Sequence, residues 1–394
     1  MSVVRQPERF LAIALAAAII AGLVTGWSPR YWAISLAVGS ISAVGAIWAV
    51  SSLRPRVDWR ILVVTAIVLW APAQVLLGAS ANNALTERAS LAWAASGVAF
   101  VLAFQISGSR ARHWFLQLML GAAVVLAIAA IIQKYGFPTQ VFGLFPGPSS
   151  VFGTFIYENQ FAAFMEIAAP IALWRILRGD LIYGGVSYAI LFGATIVSAS
   201  RAGVVLVLLE LVIFLAVWLL TRHYSTRAAL PVLAVIFVLV SAAALIVGTD
   251  VIQERFESRV PERARVDLGY ATLHMIRLRP ATGFGMGAWP LAYPAFATFD
   301  LGVIANEAHD DWLQWTAEGG IPFALLIAIL AGSLMLPAVR SLWGVGFLIV
   351  LVHSLVDYVL REPALAILWF AVGGVLCGYA QKTAGDSLRS GSEE

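Results

Sequence analysis

Long apolar segments constrain this chain more than any other feature of its sequence. Hydrophobic residues make up 61% of the 394 positions and charged residues only 12%, a composition that excludes an ordinary soluble globular protein. Runs of about 18 or more apolar residues are long enough to cross a bilayer as α-helices. Such runs occur at about 10–26, 31–50, 61–79, 90–107, 114–133, 159–175, 182–199, 202–220, 229–248, 320–338, 342–360 and 364–380. We therefore predict an all-α polytopic membrane protein with about 12 transmembrane helices.

Positive charge is distributed unequally between the loops that join these segments. If the N-terminus is cytoplasmic, most arginines of the short loops, such as Arg56, Arg60 and Arg112, lie on the cytoplasmic side. That bias is typical of membrane proteins and indicates their orientation. We predict cytoplasmic termini and an active face on the external or periplasmic side. The net charge of +3 is too small to indicate a nucleic-acid partner.

Two longer interruptions divide what is otherwise a single transmembrane domain over residues 1–381. Residues 134–158 are rich in glycine, proline and phenylalanine, so they are not expected to form a regular helix. Residues 249–319 form a large outer loop between the ninth and tenth segments. Within it, residues 262–279 predict a short helix with an apolar stripe of Val266, Tyr270, Leu273 and Ile276. Residues 382–394 are predicted to be a disordered cytoplasmic tail.

A polar stretch with one histidine, residues 306–320, ends the outer loop. A histidine side chain can exchange a proton near neutral pH, so His309 is either a general base or a surface residue at a helix start. A metal site built from Glu307, His309, Asp310 and Asp311 is disfavoured, because adjacent residues rarely all face one ion. The sequence also has no glycine-rich nucleotide phosphate loop. We expect neither a metal nor a cofactor.

Arg201 lies between the seventh and eighth apolar segments, with almost no loop around it. The predicted topology places it on the same outer face as His309 and the arginines of the 249–319 loop. A cation between two apolar segments is costly without an anionic partner, and the planar guanidinium suits phosphate. For the loop arginines, a solvated amphipathic surface is an equally good interpretation.

His353, Asp357 and Arg361 are spaced i, i+4 and i+8 on the predicted 342–360 helix. Such a stripe either lines a cavity in the membrane or forms structural ion pairs between helices, and the second reading is slightly favoured. Glu166 and Glu210 lie within the sixth and eighth segments. Each either lines a cavity or makes a contact between helices.

Several motifs, taken together and in this order, resemble the O-antigen ligase family, a group that also contains O-antigen polymerases and protein O-oligosaccharyltransferases. The resemblance covers residues of about 150–380. The segments that carry it are Gly153–Asn159, Ser200–Gly203, Arg265 with Arg279–Gly287, His309–Gly319 and His353–Asp357. The chain departs from the family pattern at Asp310, where asparagine is usual. An aspartate there adds negative charge beside His309, which would favour the protonated imidazole.

The resemblance implies a GT-C-like membrane fold and a metal-independent, inverting glycosyltransferase of the bacterial inner membrane, with its active site facing the periplasm. The implied donor is a glycan on undecaprenyl diphosphate. The implied acceptor is lipid A–core, another lipid-linked glycan or a protein hydroxyl. Ligation to lipid A–core is the leading interpretation, followed by polymerisation, protein glycosylation and, from a different class, transport of a lipid-linked glycan.

The same resemblance implies roles for individual residues. His309 would act as the general base on the acceptor hydroxyl, and Arg201 and Arg265 would stabilise the departing diphosphate. The remaining candidates are assigned to substrate binding: Arg263, Arg279, Asn159, His353, Asp357 and Arg361.

Overall fold

The computed structural model describes residues 6–28, 31–51, 55–106, 108–147, 151–221, 234, 237, 260–298 and 305–390. Its helices are α1 Gln6–Thr25, α2 Tyr31–Ser51, α3 Arg60–Leu76, α4 Asn83–Gln105, α5 Ser109–Gly136, α6 Glu158–Leu177, α7 Leu181–Ser198, α8 Arg201–Thr221, α9 Val260–Leu278, α10 Trp289–Ala292, α11 Asp311–Arg340, α12 Val345–His353 and α13 Pro363–Ser390. Short 3₁₀ turns cover Tyr293–Ala295, Leu342–Gly344 and Val359–Arg361. Two short strands, β1 Gln140–Val141 and β2 Phe145–Pro146, pair antiparallel.

Within the described ranges, eight helices are long and apolar enough to cross a membrane: α1, α2, α5, α6, α7, α8, α11 and α13. Each of them contains one of the predicted apolar segments. The chain is therefore an all-α polytopic membrane protein, as the sequence predicts. Helices α3 and α4 overlap the predicted segments 61–79 and 90–107 and end two or three residues before them, whereas segment 229–248 lies almost entirely outside the described residues.

The predicted span 342–360 is wrong as one continuous helix. Helix α12 ends at His353, and a turn follows before the 3₁₀ segment Val359–Arg361. The start of α11 takes up the backbone groups of this turn. The N–H of Asp311 donates to the carbonyls of Ser354 (2.9 Å) and Asp357 (3.3 Å), and the N–H of Leu360 donates to the Asp311 carboxylate at 2.9 Å. The helix ends here because these partners from another segment replace its own ladder of hydrogen bonds.

The segments between α8 and α11, with the start of α11, have a small apolar core of their own beside the large core of the membrane helices. Helix α9 contributes Leu268 and Met275 to it. The predicted apolar stripe is therefore wrong for Val266 and Tyr270, which are 56% and 63% exposed, whereas Ile276 packs against this core. Both faces of α9 carry apolar residues, so periodicity alone cannot identify the one that packs.

The C-terminal segment also differs from the prediction. Helix α13 continues to Ser390, into the segment 382–394 for which the sequence predicts a disordered tail. Extending an existing helix needs no new nucleation, and the sequence from Gln381 to Ser390 has no proline to stop it. The last residues, 391–394, lie outside the described part of the chain.

Candidate active site

His309 stands immediately before helix α11 and has a left-handed backbone conformation, with φ of +58°. This conformation is uncommon for residues with a side chain, and it marks a position that the surrounding structure holds in place. The helix start predicted at this point is confirmed. Asp310 is the N-cap of α11, and its carboxylate accepts a hydrogen bond from the N–H of Leu313 at 2.9 Å.

This capping role explains how aspartate can replace the usual asparagine at position 310. Burial raises the pKa of Asp310, and the N–H groups of Leu313 and Trp312 partly offset that rise. Asparagine and aspartate are equally good N-caps. The side chain at position 310 therefore serves the start of α11, whichever of the two residues is present.

The imidazole of His309 is held by a buried carboxylate. Its Nδ1 lies 3.2 Å from Oδ1 of Asp357, and the two side chains are 26% and 1% exposed. An imidazole oriented through Nδ1 by a carboxylate can accept a proton at Nε2. The pair therefore has the arrangement of a general base and the group that orients it.

Asp357 is shared by several donors from distant parts of the chain. Its Oδ2 accepts hydrogen bonds from Arg265 Nη2 at 2.9 Å, from Asn159 Nδ2, and from the hydroxyl of Tyr157 at 3.3 Å. Burial opposes the charge on this carboxyl. The hydrogen bond with His309 and the positive charge of Arg265 outweigh that effect and hold the pKa of Asp357 below its usual range. The carboxylate is therefore ionised at neutral pH.

Two tyrosines form the wall around this network. The rings of Tyr157 and Tyr358 stack with centroids 5.1 Å apart, and the His309 ring meets Tyr358 edge-on at 4.8 Å. The Tyr157 hydroxyl accepts from Arg265 at 3.1 Å and from Asn159 at 3.0 Å. The sequence patterns single out neither tyrosine, although Tyr157 lies within the segment Gly153–Asn159 and Tyr358 follows Asp357.

The arginines between α8 and α11 differ in whether they lie beside His309. Arg265 is bonded to Asp357, and its side chain is 28% exposed, so its guanidinium has room for a further anion. Arg279 instead donates to the carbonyl of Ala79 at 3.1 Å, and Arg263 is exposed on α9. Of the three predicted phosphate-binding or substrate-binding arginines in this region, the structure brings only Arg265 to His309.

Arg201 begins helix α8 at the end of the bundle that carries this network. An added Cβ at Gly203 would come 2.4 Å from Cβ of Ala162, so the start of α8 lies against the first turns of α6. The same part of α6 supplies Asn159 to Asp357. Arg201 and His309 therefore lie at the same end of the helices, as the topology predicts.

Arg361 is bonded to two carboxylates, Glu307 and Glu318. Its guanidinium makes two hydrogen bonds to Glu318, at 2.8 and 3.2 Å, and a third to Glu307 at 3.1 Å. Gln314 also donates to Glu307 at 2.6 Å. Burial raises the pKa of Glu307, and Arg361 partly offsets the rise. Arg361 therefore forms ion pairs with two carboxylates, which agrees with the structural interpretation that its spacing slightly favours.

His353 forms the other buried pair. Its Nδ1 lies 2.7 Å from Oε1 of Glu166, and both side chains are completely buried between α12 and α6. The two helices approach so closely that a Cβ at Gly346 would come 2.4 Å from the carbonyl oxygen of Glu166. The structure pairs His353 with Glu166 inside the helix bundle, and its contact with a substrate stays a prediction. His353, Asp357 and Arg361 face three separate partners and do not form one stripe.

The glycine-rich turn at residues 283–287 packs against helix α11. Gly283 has a φ of +66°, and an added Cβ would come 2.3 Å from the carbonyl oxygen of Glu318. The N–H groups of Phe284 and Gly285 donate to Ala317 and Glu318, both at 2.9 Å. Helix α11 bends just beyond this contact at Gly320, whose φ is +74°. The turn therefore fixes the helix that begins beside His309.

Metal ligation has no support among the described residues, where no group of three histidine, cysteine, aspartate or glutamate side chains could hold an ion. Comparison with curated proteins gives no match. Comparison with protein families matches residues 186–328 to the O-antigen ligase domain. That segment contains Arg201, Arg265, His309 and the glycine-rich turn. This match supports the O-antigen ligase family, a glycosyltransferase-like group of ligases and polymerases.

Proposed function

We propose that this protein transfers a glycan from undecaprenyl diphosphate to a hydroxyl of lipid A–core at the periplasmic face of the bacterial inner membrane. The observation that carries the proposal is the His309–Asp357 pair, with Arg265 bonded to the same carboxylate. One cluster thus joins a partly exposed imidazole to a cation that has room for a phosphate oxygen. Those are the two groups that transfer from a diphosphate to an alcohol requires.

In the proposed reaction, His309 accepts the proton of the acceptor hydroxyl at Nε2. The oxygen attacks the anomeric carbon, the bond from that carbon to the diphosphate oxygen breaks, and the configuration inverts in a single displacement. The electron pair of the broken bond leaves with undecaprenyl diphosphate. Arg265 and Arg201 stabilise the charge that develops there, as fixed cations do in phosphoryl chemistry. The proton on His309 is then released to water.

Asp357 has two duties in this scheme. It fixes the ring orientation of His309, and its negative charge stabilises the imidazolium that forms during attack. It also holds Arg265 close to the reacting atoms through a 2.9 Å hydrogen bond. The lowered pKa of Asp357 supports both duties, because the carboxylate stays charged when the imidazole needs it.

The test is transfer by the purified protein in nanodiscs. The donor is an undecaprenyl diphosphate carrying a defined oligosaccharide, the acceptor is lipid A–core, and the buffer contains EDTA and no nucleotide. We expect one new lipid A–core product that is larger by the mass of that oligosaccharide, and the matched His309→Gln variant should not produce it. Elongation of the donor glycan alone would replace ligation with polymerisation. A requirement for ATP or a divalent metal would contradict the proposed chemistry.

A further inference from the structure

A cavity of about 270 Å³ opens beside the stacked tyrosines, between the network of Asp357 and the first two helices. One wall consists of small residues from α1, from the turn that follows it and from α2, among them Gly22, Gly26 and Ala37. The opposite wall is polar and contains Gln160, Glu307 and Glu362. Tyr157 and Tyr358 form the part of the lining that leads to His309. The cavity gives the first two helices a direct place at the site.

The lining of this cavity contains more carboxyl groups than guanidinium groups. Two carboxyl groups, Glu307 and Glu362, face it together with Arg361. Arg361 is already bonded to Glu307 and makes a two-pronged contact with Glu318. A phosphate in this cavity would meet two carboxyl groups and a guanidinium whose charge is already paired with Glu307 and Glu318. Sugar hydroxyls, by contrast, hydrogen-bond well to carboxyl and amide groups.

Glu362 is the carboxyl best placed to bind a hydroxyl. One of its oxygens caps helix α13 by accepting from the N–H of Leu365 at 2.6 Å. Its other oxygen faces α1, where it would lie 3.1 Å from an added Cβ at Gly26. Burial raises the pKa of Glu362 to about 7, and the N–H groups at the helix start partly oppose that rise. Near neutral pH the group can therefore donate as well as accept a hydrogen bond.

We propose that this cavity binds the sugar of the acceptor that carries the reacting hydroxyl. The acceptor and the lipid diphosphate then approach His309 from opposite sides of the Tyr157–Tyr358 pair, the acceptor from the acidic side and the diphosphate from the side of Arg265. The stacked tyrosines present an aromatic surface to the sugar ring. This inference rests on the proposed function, because it divides that function's two substrates between two surfaces.

Two variants test the cavity independently. Gln160→Leu keeps the size of the side chain but removes its hydrogen bonds, and Glu362→Gln removes the carboxyl. Each should raise the KM for lipid A–core by about 2- to 10-fold, the effect of one lost hydrogen bond. The KM for the lipid-diphosphate donor should stay within about 2-fold of wild type, because neither substitution removes a hydrogen bond to the donor. The matched control is Gln117→Leu in α5, which makes the same chemical change away from the cavity lining.

The outcomes separate this inference from the function on which it rests. If wild-type protein transfers no glycan to lipid A–core, the proposed function fails. If wild-type protein is active and both folded variants keep the wild-type KM for lipid A–core, the cavity assignment is overturned while the function stands. A rise in the donor KM with an unchanged acceptor KM would also overturn it, by placing the donor in the cavity. Because Glu362 caps α13, Gln160→Leu alone decides if Glu362→Gln does not fold.

Discussion

Two histidine–carboxylate pairs in this molecule have nearly the same chemistry and opposite settings. His353 and Glu166 lie 2.7 Å apart with no exposure, whereas His309 lies 3.2 Å from Asp357 with 26% of its side chain exposed. The first pair joins α12 to α6. The second gathers Arg265 and further donors around its carboxylate. A carboxylate partner does not by itself mark a catalytic histidine, and accessibility together with neighbouring cations does.

The same substitution in both pairs gives the largest expected difference in transfer rate. His309→Gln should lower the rate of glycan transfer by about 10²- to 10⁴-fold, the usual contribution of a general base. His353→Gln should leave the transfer rate within about 10-fold, because its effect reaches the site only through the turn that follows α12. Transfer rates in nanodiscs at saturating donor and acceptor provide the measurement.

Thermal unfolding of the same two proteins supplies the control. His353→Gln should lose about 1–3 kcal/mol of stability, since it weakens a fully buried contact, whereas His309→Gln should lose less because the imidazole is partly exposed. The comparison fails if His353→Gln is the inactive variant and His309→Gln is the unstable one.

Replacing the carboxylate of the open pair comes next in size. Asp357→Asn should lower transfer by about 10- to 100-fold, because it removes the charge that stabilises imidazolium and weakens one or two charge-assisted hydrogen bonds. The loss should appear in kcat more than in the donor KM, since Arg265 keeps its own charge. Glu166→Gln is the matched change in the sealed pair. An equal loss of kcat in both variants would remove the distinction between the pairs.

The hydroxyl of Tyr157 should have a smaller effect. Tyr157→Phe keeps the ring that stacks on Tyr358 and removes only the group that bonds to Asp357, Arg265 and Asn159. We expect a loss of about 2- to 10-fold in kcat/KM, the range for neutral hydrogen bonds. Tyr358→Phe is the control, because it makes the same change in the partner ring. A loss above 100-fold for Tyr157→Phe would give this hydroxyl a direct part in the reaction.

The pH dependence of stability gives the smallest signal. The pKa of Asp357 is lowered on folding, so its contribution to stability is present above the unfolded value of about 4 and is lost as the pH falls through the lower folded value. The difference in unfolding midpoint between wild type and Asp357→Asn should therefore be constant from about pH 5 to 8 and shrink below about pH 4. A difference that grows as the pH falls would contradict the lowered pKa.

Local sequence features predicted the membrane helices and the location of His309 immediately before a helix. The apolar runs predict the membrane helices, since burial in lipid depends on length and composition that a single segment carries. The start of α11 could also be predicted, because the capping residue Asp310 and its helix are adjacent in sequence. The approach of Arg201 and His309 to one end of the bundle follows from counting spans.

Contacts between distant segments account for what the sequence could not predict. The end of α12 at His353 depends on Asp311, which bonds to the following turn from another helix. Because of this turn, Asp357 does not lie on one helical face with His353, and it contacts His309 instead. Arg361 looks like a substrate ligand in sequence, yet Glu307 and Glu318 occupy its guanidinium. Helical spacing describes neighbours within one helix and carries no information on such partners.

Chemical rescue by imidazole tests whether His309 is the base. His309→Ala leaves a gap beside Asp357, and free imidazole added to the assay can enter it and accept the proton of the acceptor hydroxyl. We predict that imidazole restores glycan transfer by folded His309→Ala in a concentration-dependent manner and has no such effect on Asp357→Asn. Full transfer by His309→Ala without imidazole, or no rescue in a variant that still binds both substrates, would contradict the role of His309 as the base.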